Sequence, residues 1–356
     1  MSVSQELAPD LAPDLAPDLA RELAATVAVM VAPGKGILAI DESLPSIRKR
    51  FDSIGIESTE ENRRAYRELL ITTPGGGEFV SGMILFDETI RQSTAAGERF
   101  VDALVRQGIM PGIKVDTGSK PLAGFRGEEV TEGLDGLRGR LAEYKQLGAR
   151  FAKWRAVVTI GQGIPTPGGL EANCHALARY AALCQEAGIV PMVEPEVMMD
   201  GSHSIETCYT VTERTLRTLF NALVNQNVRL EYTILKTSMV IAGADCPVQA
   251  SVEQVAAETV RCLRSAVPAS VPGIVFLSGG QSAQVATLHL NAMNANFPVK
   301  PWPLSYSYGR ALQAPALKAW AGRPENFAAA QAALYRREKC NSAAALGRYS
   351  EAMEAA

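Results

Sequence analysis

Eight times along this 356-residue chain a short apolar, strand-like segment is followed by a longer amphipathic stretch. The apolar segments run from Gly36 to Asp41, Gly82 to Asp87, Gly112 to Asp116, Phe151 to Val158, Ile189 to Val197, Tyr232 to Val240, Gly273 to Ser278 and Trp302 to Tyr308. Helical character fills the intervals, for example Thr59 to Ile71, Glu132 to Leu147, Gly169 to Ala187, Glu206 to Asn225, Ser251 to Ala266 and Gln281 to Asn294. Intervals of that length suit helical crossovers, which parallel strands require. The alternation therefore predicts an α/β chain closed into a single (β/α)8 TIM barrel. An open doubly wound sheet is the rival, but no G-x-G-x-x-G follows the first strand to support it. Barrels of this kind reach 356 residues as one unit, and no linker divides the chain.

The expected layout is an extension over residues 1–22, the barrel over 23–345 and a short tail over 346–356, with Pro324 to Ala345 as a last helix. The extension holds a Leu-Ala-Pro-Asp repeat from Leu7 to Asp18. Proline at every fourth residue interrupts a helix, so the segment reads as flexible and without a catalytic role. No Lys or Arg occurs in its first twenty residues, which fits neither a secretory nor an organellar presequence.

Charge and composition exclude several classes of partner. The net charge of −3 lacks the basic excess of a nucleic-acid-binding surface. No apolar run approaches the roughly 18 residues that cross a bilayer, so no membrane partner is expected. Six cysteines without a CxxC pair read as reduced, packed thiols of a cytoplasmic protein. His175, His203 and His289 are too scattered for a histidine metal site, so no metal is expected.

Lys236 lies in the middle of an otherwise apolar, strand-like run, Glu231 to Ala242. Lysine is rarely buried without a reason, and a neutral amine can attack a carbonyl carbon to form a Schiff base. Its company sharpens the reading. Side chains two apart on a strand share a face, which pairs Lys114 with Asp116, Lys153 with Arg155, Glu194 with Glu196, and Lys236 with Ser238. These residues fall toward the strand ends that form the mouth of such a barrel. Cations there attract an anionic substrate and depress the pKa of a lysine among them. A carboxyl kept protonated by burial could shuttle protons. Leu277 to Ser282 and Tyr306 to Arg310 supply glycine, serine and arginine at the last two strand ends, the usual position of a phosphate site in this fold. The whole set suits carbonyl chemistry on a phosphorylated sugar.

Seven ordered motifs resemble the class I, Schiff-base fructose-bisphosphate aldolases. They are VAPGKGILAIDES (31–43), GIKVD (112–116), TEGLDGL (131–137), AKWR (152–155), VPMVEPE (190–196), LSGGQS (277–282) and SYGRALQAPALKAW (307–320). The resemblance covers about Val31 to Arg337. It implies that Lys236 is the nucleophile, Glu194 the proton donor and acceptor, and Asp41 the group that polarises the reacting hydroxyl. Lys153 would stabilise developing charge and Glu196 would support the lysines. Lys114 and Arg155 would hold the six-carbon phosphate, with Ser43, Ser46 and Arg50 shaping that side. Ser278, Gly279, Ser307, Gly309 and Arg310 would hold the one-carbon phosphate. The implied reaction is reversible cleavage of fructose 1,6-bisphosphate to dihydroxyacetone phosphate and glyceraldehyde 3-phosphate, without a cofactor, by a homotetramer. Preference for sedoheptulose 1,7-bisphosphate or a ketose monophosphate is the alternative, followed by a non-catalytic scaffold on the same fold.

Some positions depart from the common family pattern. Ile40 stands where alanine is usual, Leu44-Pro45 replaces Thr-Gly, and Thr237-Ser238 replaces Pro-Asn. The sequence ends soon after Tyr349, without the long tyrosine-terminated tail of the animal enzymes, which bears on substrate preference and product release.

Overall fold

The computed structural model describes residues 15–355. Eight parallel strands close a barrel in the order β1-β10-β9-β8-β7-β6-β3-β2. They are β1 (Gly36–Ala39), β2 (Val80–Leu85), β3 (Met110–Lys114), β6 (Phe151–Val158), β7 (Val190–Val197), β8 (Ile234–Thr237), β9 (Ile274–Phe276) and β10 (Leu304–Tyr308). Each falls within or overlaps one of the eight predicted segments. A small antiparallel pair, β4 (Ser119–Pro121) and β5 (Glu129–Thr131), sits outside the barrel between β3 and β6.

The helices start where the sequence offers an acceptor for their orphan N–H groups. Thr59, Thr166, Ser204, Ser251 and Ser282 each cap a helix, their side chains accepting from the amide three residues on. Ser251 and Gln254 form a reciprocal capping box. The helix expected from Glu132 begins only at Leu137. Gly133 and Gly136 take positive φ of 128° and 69° there, which breaks the first turn, and Thr131 is already paired in β5.

Residues on the barrel interior follow one rule, apolar at the base and polar at the mouth. Along single inward rows run Ile37, Ala39 and Asp41; Phe151, Lys153 and Arg155; Met192, Glu194 and Glu196; Ile234 and Lys236. The base members join Ile84, Val190 and Val275 in one buried cluster. Phe151 fills its centre, lying against Gly82 and Gly112, where any Cβ would strike the ring. Outward-facing residues such as Leu38, Trp154, Val193 and Leu235 belong to a second, larger core beneath the helices.

Leu23, Val27 and Met30 complete the base cluster. They come from the helix Pro17–Met30, so the expected extension through residue 22 is corrected: ordered helix begins at Pro17. Proline is tolerated there because the first helical N–H has no intrahelical partner, and burial of one apolar face holds the turn down. Most of the Leu-Ala-Pro-Asp repeat lies outside the described residues. At the other end Tyr349 is buried and its hydroxyl donates to Glu354, which also ion-pairs with buried Arg337. All six cysteines are unpaired, five of them buried. No described helix is long and apolar enough to cross a membrane.

Candidate active site

The polar ends of the interior rows open into a cavity of about 940 Å³. All fifteen candidate residues line it: Asp41, Ser43, Ser46, Arg50, Lys114, Lys153, Arg155, Glu194, Glu196, Lys236, Ser278, Gly279, Ser307, Gly309 and Arg310. At its floor Lys236 Nζ lies 3.0 Å from Glu194 Oε1, with side chains only 5 % and 4 % exposed. Lys153 Nζ lies 2.7 Å from Asp41 Oδ2 and 3.4 Å from Glu194 Oε2. Four buried groups, two of each sign, thus form a continuous chain from Lys236 through Glu194 and Lys153 to Asp41.

Register explains the meeting. β6 and β7 pair over eight residues, with Arg155 opposite Glu194. The shorter β8 pairs with β7 only through Met192–Ile234 and Val193–Leu235, so Lys236 follows one step above, beside Glu194. Beyond β8, Ser238 Oγ donates to the Val197 carbonyl at 2.9 Å and ties the two strand ends together.

The charges resolve differently from the expected pattern. Burial pushes the Asp41 carboxyl up, yet the ammonium groups of Lys153 and Lys236 outweigh it and hold Asp41 down at about 2. Burial also works against ionised Glu194, but Lys236, Lys153 and Arg155 keep it below the usual carboxylate range. Neither carboxyl is therefore held protonated in the substrate-free site. Lys153 is likewise not depressed: burial lowers it, and Asp41, Glu194 and Asp116 more than reverse that. Opposite charges are matched too closely for like-charge repulsion to dominate.

The cations on one side of the cavity are each tethered. Lys114 Nζ contacts Asp116 Oδ1 at 2.5 Å. Arg155 Nε donates to Glu196, and Arg50 pairs with Glu42 at 2.8 Å. Ser43 and Ser46 face each other at 3.2 Å. On the opposite side Arg310 donates to the Gly279 carbonyl and joins the two glycine turns. Ser307 is buried, and its hydroxyl has no hydrogen-bond partner among the described residues. Gly279 adopts φ +54°, the left-handed backbone that glycine permits.

Glu42, Arg67 and Gln313 were not among the residues singled out from the sequence. The Glu42 side chain, 7 % exposed, also ion-pairs with buried Arg67 at 2.8 Å and accepts from Gln313. The available signal was a second carboxylate directly after Asp41. Strict alternation turns it away from the mouth, but β1 ends at Ala39 and the rule lapses two residues earlier. Asp116 was paired with Lys114 but given no role; its Oδ2 also accepts from the Arg155 amide. Lys49, Arg140 and Tyr144 line the cavity as well. Among the described residues no cluster of three or more His, Cys, Asp or Glu side chains is arranged to hold a metal ion.

The chain as a whole is similar to known proteins. The family model described as "Fructose-bisphosphate aldolase class-I" matches residues 22–356. A probable fructose-bisphosphate aldolase class 1 of Xanthomonas axonopodis pv. citri is 65 % identical, covering 90 % of this chain and 96 % of its own. The cytosolic fructose-bisphosphate aldolase 4 of Arabidopsis thaliana is 54 % identical over 89 % of this chain and 81 % of its own. A solved structure of the Plasmodium falciparum aldolase, in complex with TRAP and a small-molecule inhibitor, superposes with a TM-score of 0.95 at 47 % identity. It covers 97 % of this chain and 99 % of that one. With barrel, charged floor and family match in agreement, the chain belongs to the class I fructose-bisphosphate aldolases.

Proposed function

We propose that this protein is a lyase that cleaves fructose 1,6-bisphosphate reversibly through a Schiff base on Lys236, and that it needs no metal. The observation that carries the reading is the buried contact of Lys236 with Glu194, in one cavity with cations on both sides. Lys236 first passes an ammonium proton to Glu194 and attacks the ketone carbon as the neutral amine; a second nitrogen proton moves to the carbonyl oxygen to give the carbinolamine, and Glu194 returns its proton to that hydroxyl, which leaves as water. The resulting iminium draws electrons from the adjacent carbon. Asp41, ionised beside Lys153, takes the proton of the C4 hydroxyl as the C3–C4 bond breaks, and the bonding pair moves into an enamine. The aldehyde leaves first. Protonation of the enamine and hydrolysis of the imine then release dihydroxyacetone phosphate and restore the amine.

Phosphate on the one-carbon end meets Ser278, Gly279, Ser307, Gly309 and Arg310; phosphate on the six-carbon end meets Lys114 and Arg155, with Ser43, Ser46 and Arg50 beside them. Glu196 holds Arg155. Cytosolic plant relatives support action in the cytoplasm. Incubation with dihydroxyacetone phosphate and borohydride, in the presence of EDTA, should attach the reduced ketose to Lys236 and inactivate the enzyme. A label on another residue, or none, defeats the Schiff-base reading; trapping that appears only without EDTA defeats metal independence.

A further inference from the structure

Strand β7 delivers two glutamates to the cavity and is followed at once by two methionines. Met198 Sδ lies 3.6 Å from Arg155 Nη2. Met199 Sδ accepts from the Gly280 N–H at 2.8 Å. Of two consecutive thioethers, one therefore rests on a guanidinium of the cavity wall and the other on the amide of a glycine turn.

Their backbone is anchored. Met198 N–H donates to the Val158 carbonyl at 2.9 Å, and the Met199 carbonyl accepts from Ala244 N–H at 2.7 Å. Leu277, Ser278 and Gly279 line the cavity, but Gly280 does not. Its amide points instead at Met199, and a Cβ at position 280 would come within 2.6 Å of that sulfur. A backbone donor turned away from the ligand needs another acceptor, and a flexible thioether supplies a weak but adaptable one. On the other side, Arg155 gives Nε to Glu196 and Nη2 to Met198. Those two contacts set the plane of the guanidinium and leave its remaining edge for a ligand.

We propose that Met198 and Met199 are positioning residues for the two phosphate ends of the substrate. Met199 braces the 278–280 turn from behind so that its inward groups meet the one-carbon phosphate. Met198, with Glu196, orients Arg155 toward the six-carbon phosphate. This rests on the bisphosphate reading given above.

Substitution separates the sulfur's bonding from its bulk. Met199→Leu keeps the volume and removes the acceptor, whereas Met199→Gln restores an acceptor at similar reach. For fructose 1,6-bisphosphate, Met199→Leu should raise KM about threefold with kcat within about twofold of the parent, the size expected for one modest hydrogen bond. Met199→Gln should return KM toward the parent value. Fructose 1-phosphate distinguishes the two sulfurs: Met199→Leu raises its KM as well, and Met198→Leu does not, although Met198→Leu raises KM for the bisphosphate. Amide deuterium uptake over residues 277–282 of the substrate-free protein should increase in Met199→Leu and not in Met199→Gln. Unchanged KM and uptake in Met199→Leu, no rescue by glutamine, or identical substrate patterns for the two leucine variants would overturn the proposal. A parent chain that traps no ketose with borohydride overturns the reading beneath it, and does so before any variant is compared.

Discussion

Glu194 stands between two ammonium groups, and its two oxygens are divided between them: Oε1 faces Lys236 and Oε2 faces Lys153. Replacing it with glutamine keeps the shape and, on the proposed mechanism, ends proton transfer at the lysine. Glu194→Gln should lower kcat about 10² to 10³-fold, as expected for loss of a general acid–base group, with slower borohydride trapping as the direct measure. Unchanged trapping would remove Glu194 from the imine-forming steps. These two residues were legible in the sequence because each sits in an apolar strand, where period-two alternation fixes which neighbours it meets. Glu42 was not. Its partners Arg50, Arg67 and Gln313 come from three different helices, and helix surfaces separated by tens or hundreds of residues leave no local spacing to read.

At the scale of elements, the base of the barrel depends on a large ring set against absent side chains. A Cβ on Gly112 would lie 2.2 Å from the Phe151 ring, and one on Gly82 would lie 2.8 Å from it. Gly112→Ala should therefore cost about 2 kcal/mol or more through overpacking, read as a lower urea midpoint with unchanged slope. Phe151 cannot swing aside, since it is fully buried among Ile84, Val190 and Met192. All eight strands were legible as apolar runs, and the late start of the helix at Leu137 was not. Two glycines with positive φ and a hairpin closed against β6 decide that boundary, and both are tertiary facts. The helix Pro17–Met30 escaped notice for the opposite reason: the proline spacing before it argued against helix, while its apolar face is used only once the barrel exists.

The molecule as a whole carries buried carboxyls of opposite pH behaviour. Asp41 is held at about 2, so its contribution is complete above the ordinary carboxylate range and is lost as pH falls toward 2. Glu338 behaves inversely. It is fully buried with no hydrogen-bond partner on either oxygen among the described residues, and burial pushes it up from 4.5 to about 8. Between those values the unfolded chain has released the proton while the folded chain keeps it, so stability falls as pH rises through this window and levels off above it. Glu338→Gln should flatten that slope and raise stability near pH 8 on the order of 3 kcal/mol, measured by urea unfolding at pH 5 and pH 8. An equal shift at both values would mean that the carboxyl is not titrating there.

The helix that seals the base has a consequence for traffic. With Leu23, Val27 and Met30 closing one end, the barrel is a vessel with a single entrance, not a conduit. Everything that reaches Lys236 arrives by the route through which everything else departs. On the proposed mechanism the ketose half is tethered to Lys236 by a covalent bond, and the aldehyde half has to depart through that same mouth. Departure is then sequential: the enamine, held by its bond to the floor and walled in by the closed base, stays behind until the aldehyde has cleared the single doorway.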